Sequence, residues 1–567
     1  MSASTFTRLR ATDPARWAGA SIAWRSRASA AGAWTAELHR HAARLRSGWS
    51  GAAALAALAR LTRLRRGLEV FRLACYRADQ ALSEFAGALT RARALLATAL
   101  AAAQRAGLSF DDEGNVRECP ASGKAATAQS ATGPRGAPAA EPGTSATRTG
   151  MSAEAGAART EAVAAITAAL SVATTADGVA ARRLDDLRAA IGPLAGAGTI
   201  AGSGLAAVPP HGTPLPSCTS SPAEVRAWWE AQTPAERLWT AVTEPAAIAT
   251  LDGLPAADRD LANRLLLDQQ RAEIDRALLD ARGGERKRLR GLRDGLATLA
   301  DRLADDAGPR AYLLRLDLAE EGRVVVALGD PDRADHVLTH VPGMTARLAS
   351  ADGELGRAER VAARAGWLAP AAATSAVLWL DYDAPDFVDE AAGAGRAEAG
   401  AERLRRFQDG LAAAHETGRA HRTVLGHSYG SLVVGRAAAT SGLAADDVIF
   451  VGSPGVGVDS AGALNIPAGH VWSSTSRSDV IQYAALAPRG LPADLAVAAT
   501  VPGLGAALAF GRPEDDLWFG HNPSDPAFGA RVFASQPDAG HLGYWDRGRP
   551  ALDAITDITV GRDVTPR

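Results

Sequence analysis

The sequence predicts an α/β domain with a largely parallel central sheet flanked by helices, preceded by an all-α helical-hairpin region. Three observations carry this. Apolar residues recur at three- and four-residue steps through the first half of the chain, and strand-like and helix-like segments alternate from residue 312 onward. Between these, Gly, Pro, Ser and Thr crowd into 119–150, where almost nothing is left to bury, and again into 196–220. A chain of 567 residues has room for more than one domain. The expected layout is a helical region at 1–195 with a disordered insert at 119–150, a linker at 196–220, and an α/β domain at 221–567. That domain divides into a helical lead-in at 221–305 and the sheet at 312–567.

The elements follow in order. Residues 53–106 hold two glycines, Gly67 and Gly87, and no proline, with Leu, Val, Phe and Ala at helical spacing, so one long amphipathic helix is expected. A helix over 30–46 precedes it, and the short Gly48-Trp49-Ser50-Gly51 link makes the two antiparallel. LSFDDEGNVR reads as a small hairpin turning at Glu113-Gly114, and helix resumes at 152–195. Ser221-Pro222-Ala223-Glu224 and Thr233-Pro234-Ala235-Glu236 are capping boxes with proline at the first helical position. The adjacent Trp228 and Trp229 are expected to pack, and a further helix covers 256–305. LLRLDLAEEGRVVVALGD is a strand hairpin turning at Glu321-Gly322 and forms one sheet edge. HVLTHVPG, SAVLWLDYD, RTVLGH, VIFVGSPG, HVWSSTS and ARVFAS are the later strands, with helices at 352–366, 386–417 and 430–441 among them.

Composition excludes several functions. Lys plus Arg number 61 and Asp plus Glu 63, a formal net charge of -2. That balance gives no whole-chain reason for nucleic-acid or anionic-membrane binding. Lys124 and Lys287 are the two lysines, so the arginine bias reads as codon composition. Cys75, Cys119 and Cys218, with no CxxC, exclude a disulfide scaffold and a Cys-rich metal site; Cys119 and Cys218 are either a bridge or two idle thiols. No metal and no cofactor is expected. The start, MSASTFTRLRATDPARW, lacks the pattern of a secretory signal, so a cytoplasmic location is expected. The most membrane-like stretch, 483–511, is cut by Pro488, Pro492 and Pro502, which argues against an integral span.

The chemistry centres on Gly426-His427-Ser428-Tyr429-Gly430. A GxSxG pattern alone says little, but this one follows the strand TVL and opens the helix SLVVGRAAA, the setting a nucleophile elbow requires. The turn is sharp, so Gly426 and Gly430 must be small. A serine hydroxyl needs a histidine base, and the base an acid to fix its tautomer. In the order Ser, acid, His, the acid belongs after a later strand. Asp479 is the first candidate, with a second reading as helix N-cap; Asp459 is the runner-up and Asp447 comes too early. His541, in the loop after the last strand, is the favoured base over His521, while His470 packs at a strand start. His427, inside the elbow, is expected to pack or to contact substrate. Oxyanion donors would be the Tyr429 N–H and an amide of Pro342-Gly343-Met344-Thr345; proline has none, so Met344 comes first and Gly343 second. The apolar, proline-broken stretch 483–520 reads as a lid, an acyl-pocket wall or plain packing.

SPAEVRAWWEAQTPAERLW, LDGLPAADRDLANR, VVVALGDPDRADHVLTHVPGMT, VLWLDYDAP, TVLGHSYGS, VIFVGSPGVGV and SSTSRSDVIQ together resemble the actinobacterial α/β-hydrolases grouped as domain of unknown function 1023, over about 221–560. The resemblance implies an α/β-hydrolase fold, a serine nucleophile at Ser428, and Asp479 and His541 as acid and base. Residues 1–195 resemble the helical hairpin of WXG-type proteins through Trp49-Ser50-Gly51. That resemblance implies a helical protein partner or type VII export. Within 1–195 the export tail, a Tyr with an acidic residue four positions on, is not found: Tyr76 has Asp79 three positions on and lies mid-helix.

The expected function is a serine hydrolase acting on a small-molecule or lipid ester, lipase- or esterase-like, through a Ser-His-Asp triad, with no nucleic-acid partner. The alternative is a non-enzymatic interaction protein, or a type VII-exported effector, that uses the hydrolase fold as a scaffold.

Overall fold

The helical periodicity of the first half becomes helices α1 (Ala3–Ala11), α2 (Pro14–Gly48), α3 (Ala52–Arg105) and α4 (Ser145–Ala195), with the strand pair β1 (Leu108–Phe110) and β2 (Val116–Glu118) after α3. The computed structural model describes residues 3–111, 114–118, 145–195, 214–217, 219–386, 388–391, 393–416, 418–479, 481 and 516–566. Most of the insert at 119–150, most of the 196–220 linker, Cys119, Cys218 and the 482–515 stretch lie outside them. Contacts divide the chain into two compact units: Met1–Ala23 with Asp79–Leu184, and Trp24–Ala78 with Asp185–Arg567. The division crosses α2, α3 and α4.

In the first unit, Phe6, Leu9, Leu89, Leu96, Ile166 and Leu170 form the core. Ser21 donates to Asp79 at 2.6 Å and Trp17 meets Phe85 edge to face at 5.2 Å. β1 and β2 pair antiparallel. In the second unit the α2–α3 hairpin continues, with Arg65 beside His39 at 3.4 Å. Ala28, Val70, Leu73 and Tyr76 pack on Leu238, Leu261 and Leu265. Arg72–Asp268 and Arg77–Asp258 are ion pairs to the lead-in helices. The buried Cys75 thiol is pushed up to about 11 by desolvation. Ala52–Arg105 and Gly156–Gly192 are helices long and apolar enough to cross a membrane, by length and composition only.

The lead-in comprises α5 (Pro222–Glu230), α6 (Pro234–Thr243), α7 (Pro245–Thr250), α8 (Ala256–Asp280) and α9 (Gly283–Ala304). Both capping boxes form, Ser221 with Glu224 and Thr233 with Glu236; such a cap stabilises a helix start by about 1 kcal/mol. Trp229 is fully buried and donates to Asp258 at 2.7 Å. The single helix expected over 256–305 is two helices. The first helix ends at Asp280, Ala281 and Arg282 are extended, and Gly283 opens the second helix at φ 56°, a left-handed conformation that is cheap only at glycine.

The alternating half builds β3 (Ala311–Asp317), β4 (Arg323–Leu328), β5 (His336–Val341), α10 (Ala351–Leu368), β6 (Thr374–Leu380), α11 (Val388–Ala391), α12 (Gly395–Ala414), β7 (His421–His427), α13 (Tyr429–Ser441), β8 (Asp447–Val451), β9 (Val471–Ser474), β10 (Asp516–Leu517), β11 (Gly520–His521), β12 (Arg531–Val532) and α14 (Pro550–Thr559). Eight strands form one sheet in the order β12-β9-β8-β7-β5-β6-β4-β3. β3 and β4 are the antiparallel edge hairpin, β4 also runs antiparallel to β6, and the other pairings are parallel. The central strands are buried nearly end to end, as a parallel sheet covered on both faces must be. From β5 the chain steps to β6 on one side and β7 on the other. Such a reversal opens a crevice at the strands' C-terminal ends.

Candidate active site

β7 ends at His427 and α13 begins at Tyr429, so Ser428 alone makes the turn. Its φ of 54° and ψ of -131° lie outside the regions an L-residue adopts freely. The strain is held by two backbone bonds: Ser428 N–H donates to Val451 at 3.1 Å, and the Ser428 carbonyl accepts from Ser431 at 2.9 Å. The flanking glycines permit the close approach. A Cβ on Gly426 would lie 2.6 Å from the Ser431 Cα, and one on Gly430 would lie 2.6 Å from the Pro342 carbonyl oxygen.

Asp479 is completely buried beyond the end of β9. Its Oδ1 and Oδ2 lie 2.9 and 3.0 Å from His541 Nδ1, across a sequence separation of 62 residues. Oδ2 also accepts the Tyr544 hydroxyl at 2.6 Å, and Oδ1 accepts the Ile481 N–H at 3.0 Å. The backbone cap and the contact with His541 therefore coexist on one carboxylate. Burial first, then the charge and hydrogen bond of Asp479, hold the Tyr544 phenol well above its usual range, so it stays a donor. Nδ1–H donation to Asp479 leaves Nε2 as the basic nitrogen of His541.

His427 is buried, and its Nε2–H donates to the His541 carbonyl at 2.9 Å. Its ring lies 4.7 Å from the His541 ring and meets Trp545 edge to face at 5.0 Å. Burial, reinforced by neighbouring His541, pushes its pKa well below the ordinary histidine value, so it is neutral. Of the two readings open for His427, the structure has it packing, against the backbone of the loop that carries His541.

The loop after β5 closes on the serine. A Cβ on Gly343 would sit 2.5 Å from the Ser428 Cβ and 3.0 Å from its Oγ, so only glycine fits. Met344 follows with its side chain 36% exposed. The Pro342 carbonyl accepts the Tyr382 hydroxyl at 2.6 Å, and Thr345, at φ 66°, donates to Pro385 at 2.8 Å. Tyr429 occupies the first position of α13, where no preceding turn supplies an acceptor for its N–H. Its phenol donates to the Gly393 carbonyl at 2.6 Å.

The runner-up residues are engaged elsewhere. Asp459 accepts the His521 N–H at 3.2 Å, and the His521 ring pairs with Asp516 and Asp525. His470 and His421 each lie 3.0 Å from Asp447, at the N-terminal end of the strands, opposite Ser428. Among the described residues, no cluster of His, Cys, Asp and Glu is arranged to hold a metal ion.

Three contributors go unnoticed in the sequence. Gly452, at φ 54° just past β8, faces the acid: a Cβ there would lie 2.7 Å from Asp479 Oδ2 and 3.2 Å from His541 Nδ1. Its local sign is a glycine at a strand end. Tyr544 has no local sign. The third is the pair of buried His340 with half-buried Glu354: they lie 2.9 Å apart, and the His340 ring meets Trp545 edge to face at 5.3 Å. Burial pushes the Glu354 carboxyl up, but the His340 hydrogen bond and the charges of His340 and Arg357 outweigh it and bring it to about 2.

Residues 317–488 match a family model described as alpha/beta hydrolase. The uncharacterized protein Rv2079 of Mycobacterium tuberculosis (strain ATCC 25618 / H37Rv) is 28% identical over 404 residues, covering 62% of this chain and 57% of the relative. The chain thus spans little more than half the length of that relative. The uncharacterized proteins Rv0963c of the same strain and Mb0988c of Mycobacterium bovis (strain ATCC BAA-935 / AF2122/97) are each 36% identical over 195 residues, covering 32% of this chain and 69% of each relative. No solved structure matches the chain significantly. With the matched span running from the edge hairpin through the Ser428 elbow to Asp479, and two relatives covered over most of their length, this chain belongs to the alpha/beta hydrolase family.

Proposed function

We propose that the protein is a serine hydrolase of carboxylic esters, esterase- or lipase-like. One observation carries the reading: Ser428 stands at a strained strand–helix turn, while His541, on the loop packed against the neighbouring His427, has its Nδ1 fixed by a buried carboxylate. In this reading Ser428 Oγ attacks the ester carbonyl carbon as His541 Nε2 takes its proton. Asp479 holds His541 in the tautomer that presents Nε2. The Tyr429 amide and an amide of Gly343-Met344 receive the oxyanion; one such donor contributes about a hundredfold or more in rate. His541 returns the proton to the departing alkoxide, giving an acyl-serine and an alcohol. Water, deprotonated by the same histidine, then releases the acid. The finer assignment to the hydrolases of domain of unknown function 1023 belongs to the same proposal and rests on their shared motifs.

The test is fluorophosphonate labelling of the full chain beside Ser428→Ala. Labelling that disappears in the variant supports the reading. A well-folded wild type that takes no label overturns it and leaves the scaffold reading standing.

A further inference from the structure

The near-neutral net charge conceals a segregated basic surface. Between Trp34 and Arg66, around the α2–α3 turn, the chain carries seven arginines against a single acidic residue, Glu37. All seven but the half-buried Arg65 are exposed. Arg40 lies 3.5 Å from Glu37. Among the described residues, Arg44, Arg46, Arg60, Arg63 and Arg66 have no carboxylate partner. Elsewhere in the same unit the half-buried Arg226, Arg288 and Arg405 pair with Glu230, Glu285 and Glu402. Arg44 and Arg46 lie in or near the last turn of α2 and offset its dipole. The α3 arginines begin more than two turns into that helix, so no dipole explains them.

The same stretch of chain exposes apolar side chains. Trp49 at the turn is 45% exposed, Trp34 61% and Leu55 70%. Unpaired cations beside exposed tryptophan and leucine match an interface with phosphate at one depth and hydrocarbon just below it. A nucleic acid would satisfy the charges but offer Leu55 no apolar environment. We propose that this hairpin docks the protein on an anionic phospholipid surface, with the arginines at headgroup phosphates and Trp34, Trp49 and Leu55 in the interfacial layer. The proposal does not depend on Ser428.

The experiment is vesicle flotation of the full chain with phosphatidylcholine alone and with added phosphatidylglycerol, at physiological and high salt. Wild type should float with the anionic vesicles, more weakly at high salt. R60E/R63E/R66E should bind them about tenfold more weakly or worse. W49A/L55A should lose affinity while keeping its salt dependence. The charge-matched triple R286E/K287E/R290E, on exposed positions of α9, should bind within about twofold of wild type, and Ser428→Ala should bind as wild type does. All these positions but Ser428 are exposed, and circular dichroism checks the fold. Equal binding by the hairpin triple overturns the proposal, as does an equal loss in the α9 triple. So does a wild type that ignores anionic vesicles, whether or not it captures single-stranded RNA or an acidic polypeptide instead.

Discussion

The phenol of Tyr544 donates to Asp479 at 2.6 Å and accepts from the Ser476 amide at 3.0 Å, with both side chains buried. The carboxylate that orients His541 is therefore itself oriented from behind. Tyr544→Phe removes both of these bonds at once. The expected cost is about 1–3 kcal/mol in urea unfolding and about tenfold in kcat, with KM little changed.

Acid sensitivity should trace to His427. Its folded pKa lies well below 6.5 because of burial and the neighbouring His541, whereas the unfolded chain titrates near 6.5. Between those values the unfolded chain binds the extra proton, so the stability is complete above about 6.5 and declines as pH falls below it. Glu354 acts lower: its contribution is present above 4.5 and lost as pH falls toward about 2. His421 has the opposite sign. The Asp447 hydrogen bond raises it, so its contribution is complete below 6.5 and lost as pH rises through the folded value. In His427→Gln, stability should decline less steeply between about pH 7 and pH 5, measured by urea unfolding across pH.

Gly452→Ala should be disabling without replacing an ionisable group. The new methyl meets Asp479 Oδ2 at 2.7 Å and the backbone is left-handed. Overpacking and φ strain together cost about 2–4 kcal/mol, and ester turnover should fall further than stability does. Thermal unfolding and kcat on one preparation separate the two.

Tyr382→Phe frees the Pro342 carbonyl, next to Gly343 in the loop against Ser428. The phenyl ring keeps its stacking on Trp379 and Tyr429. A several-fold fall in kcat at constant KM is expected, because oxyanion contacts act mainly in the transition state.

Asp459→Asn and His521→Ala serve as contrasts. Both residues belong to the β10–β11 hairpin contacts. Kinetics within about twofold of wild type are expected, and a loss as large as that of Asp479→Asn would reassign the acid.

How far the sequence reaches can be read residue by residue. The sheet edge is legible because β3 and β4 flank Glu321-Gly322, and Gly322 adopts φ 86° there. The Ser428 turn is legible because its steric demands fall on Gly426 and Gly430, within two residues of it. The break between α8 and α9 is misread because helical spacing runs straight through Gly283-Gly284, and periodicity alone does not register backbone freedom. Tyr544, Gly452 and Tyr382 are illegible for another reason. Each acts on an atom remote in sequence, and a phenol or a strand-end glycine looks the same whether or not a carboxylate lies opposite. His427 falls between. Its place in the motif is visible, but its partner is a backbone carbonyl 114 residues away.

The 62-residue interval between Asp479 and His541 bears on how such proteins diversify. The chain leaves the sheet at the end of β9, just before the acid, and must return to β12 before the base, and both ends are pinned, by β9 pairing with β12 and by the Ser476 and Tyr544 bonds. For anchored ends, doubling the intervening length adds only about 0.6 kcal/mol of closure entropy. Insertions or deletions between these anchors thus cost the fold little, so related chains should differ in length there far more freely than at the Ser428 turn, where Gly426 and Gly430 leave no room for even a methyl group.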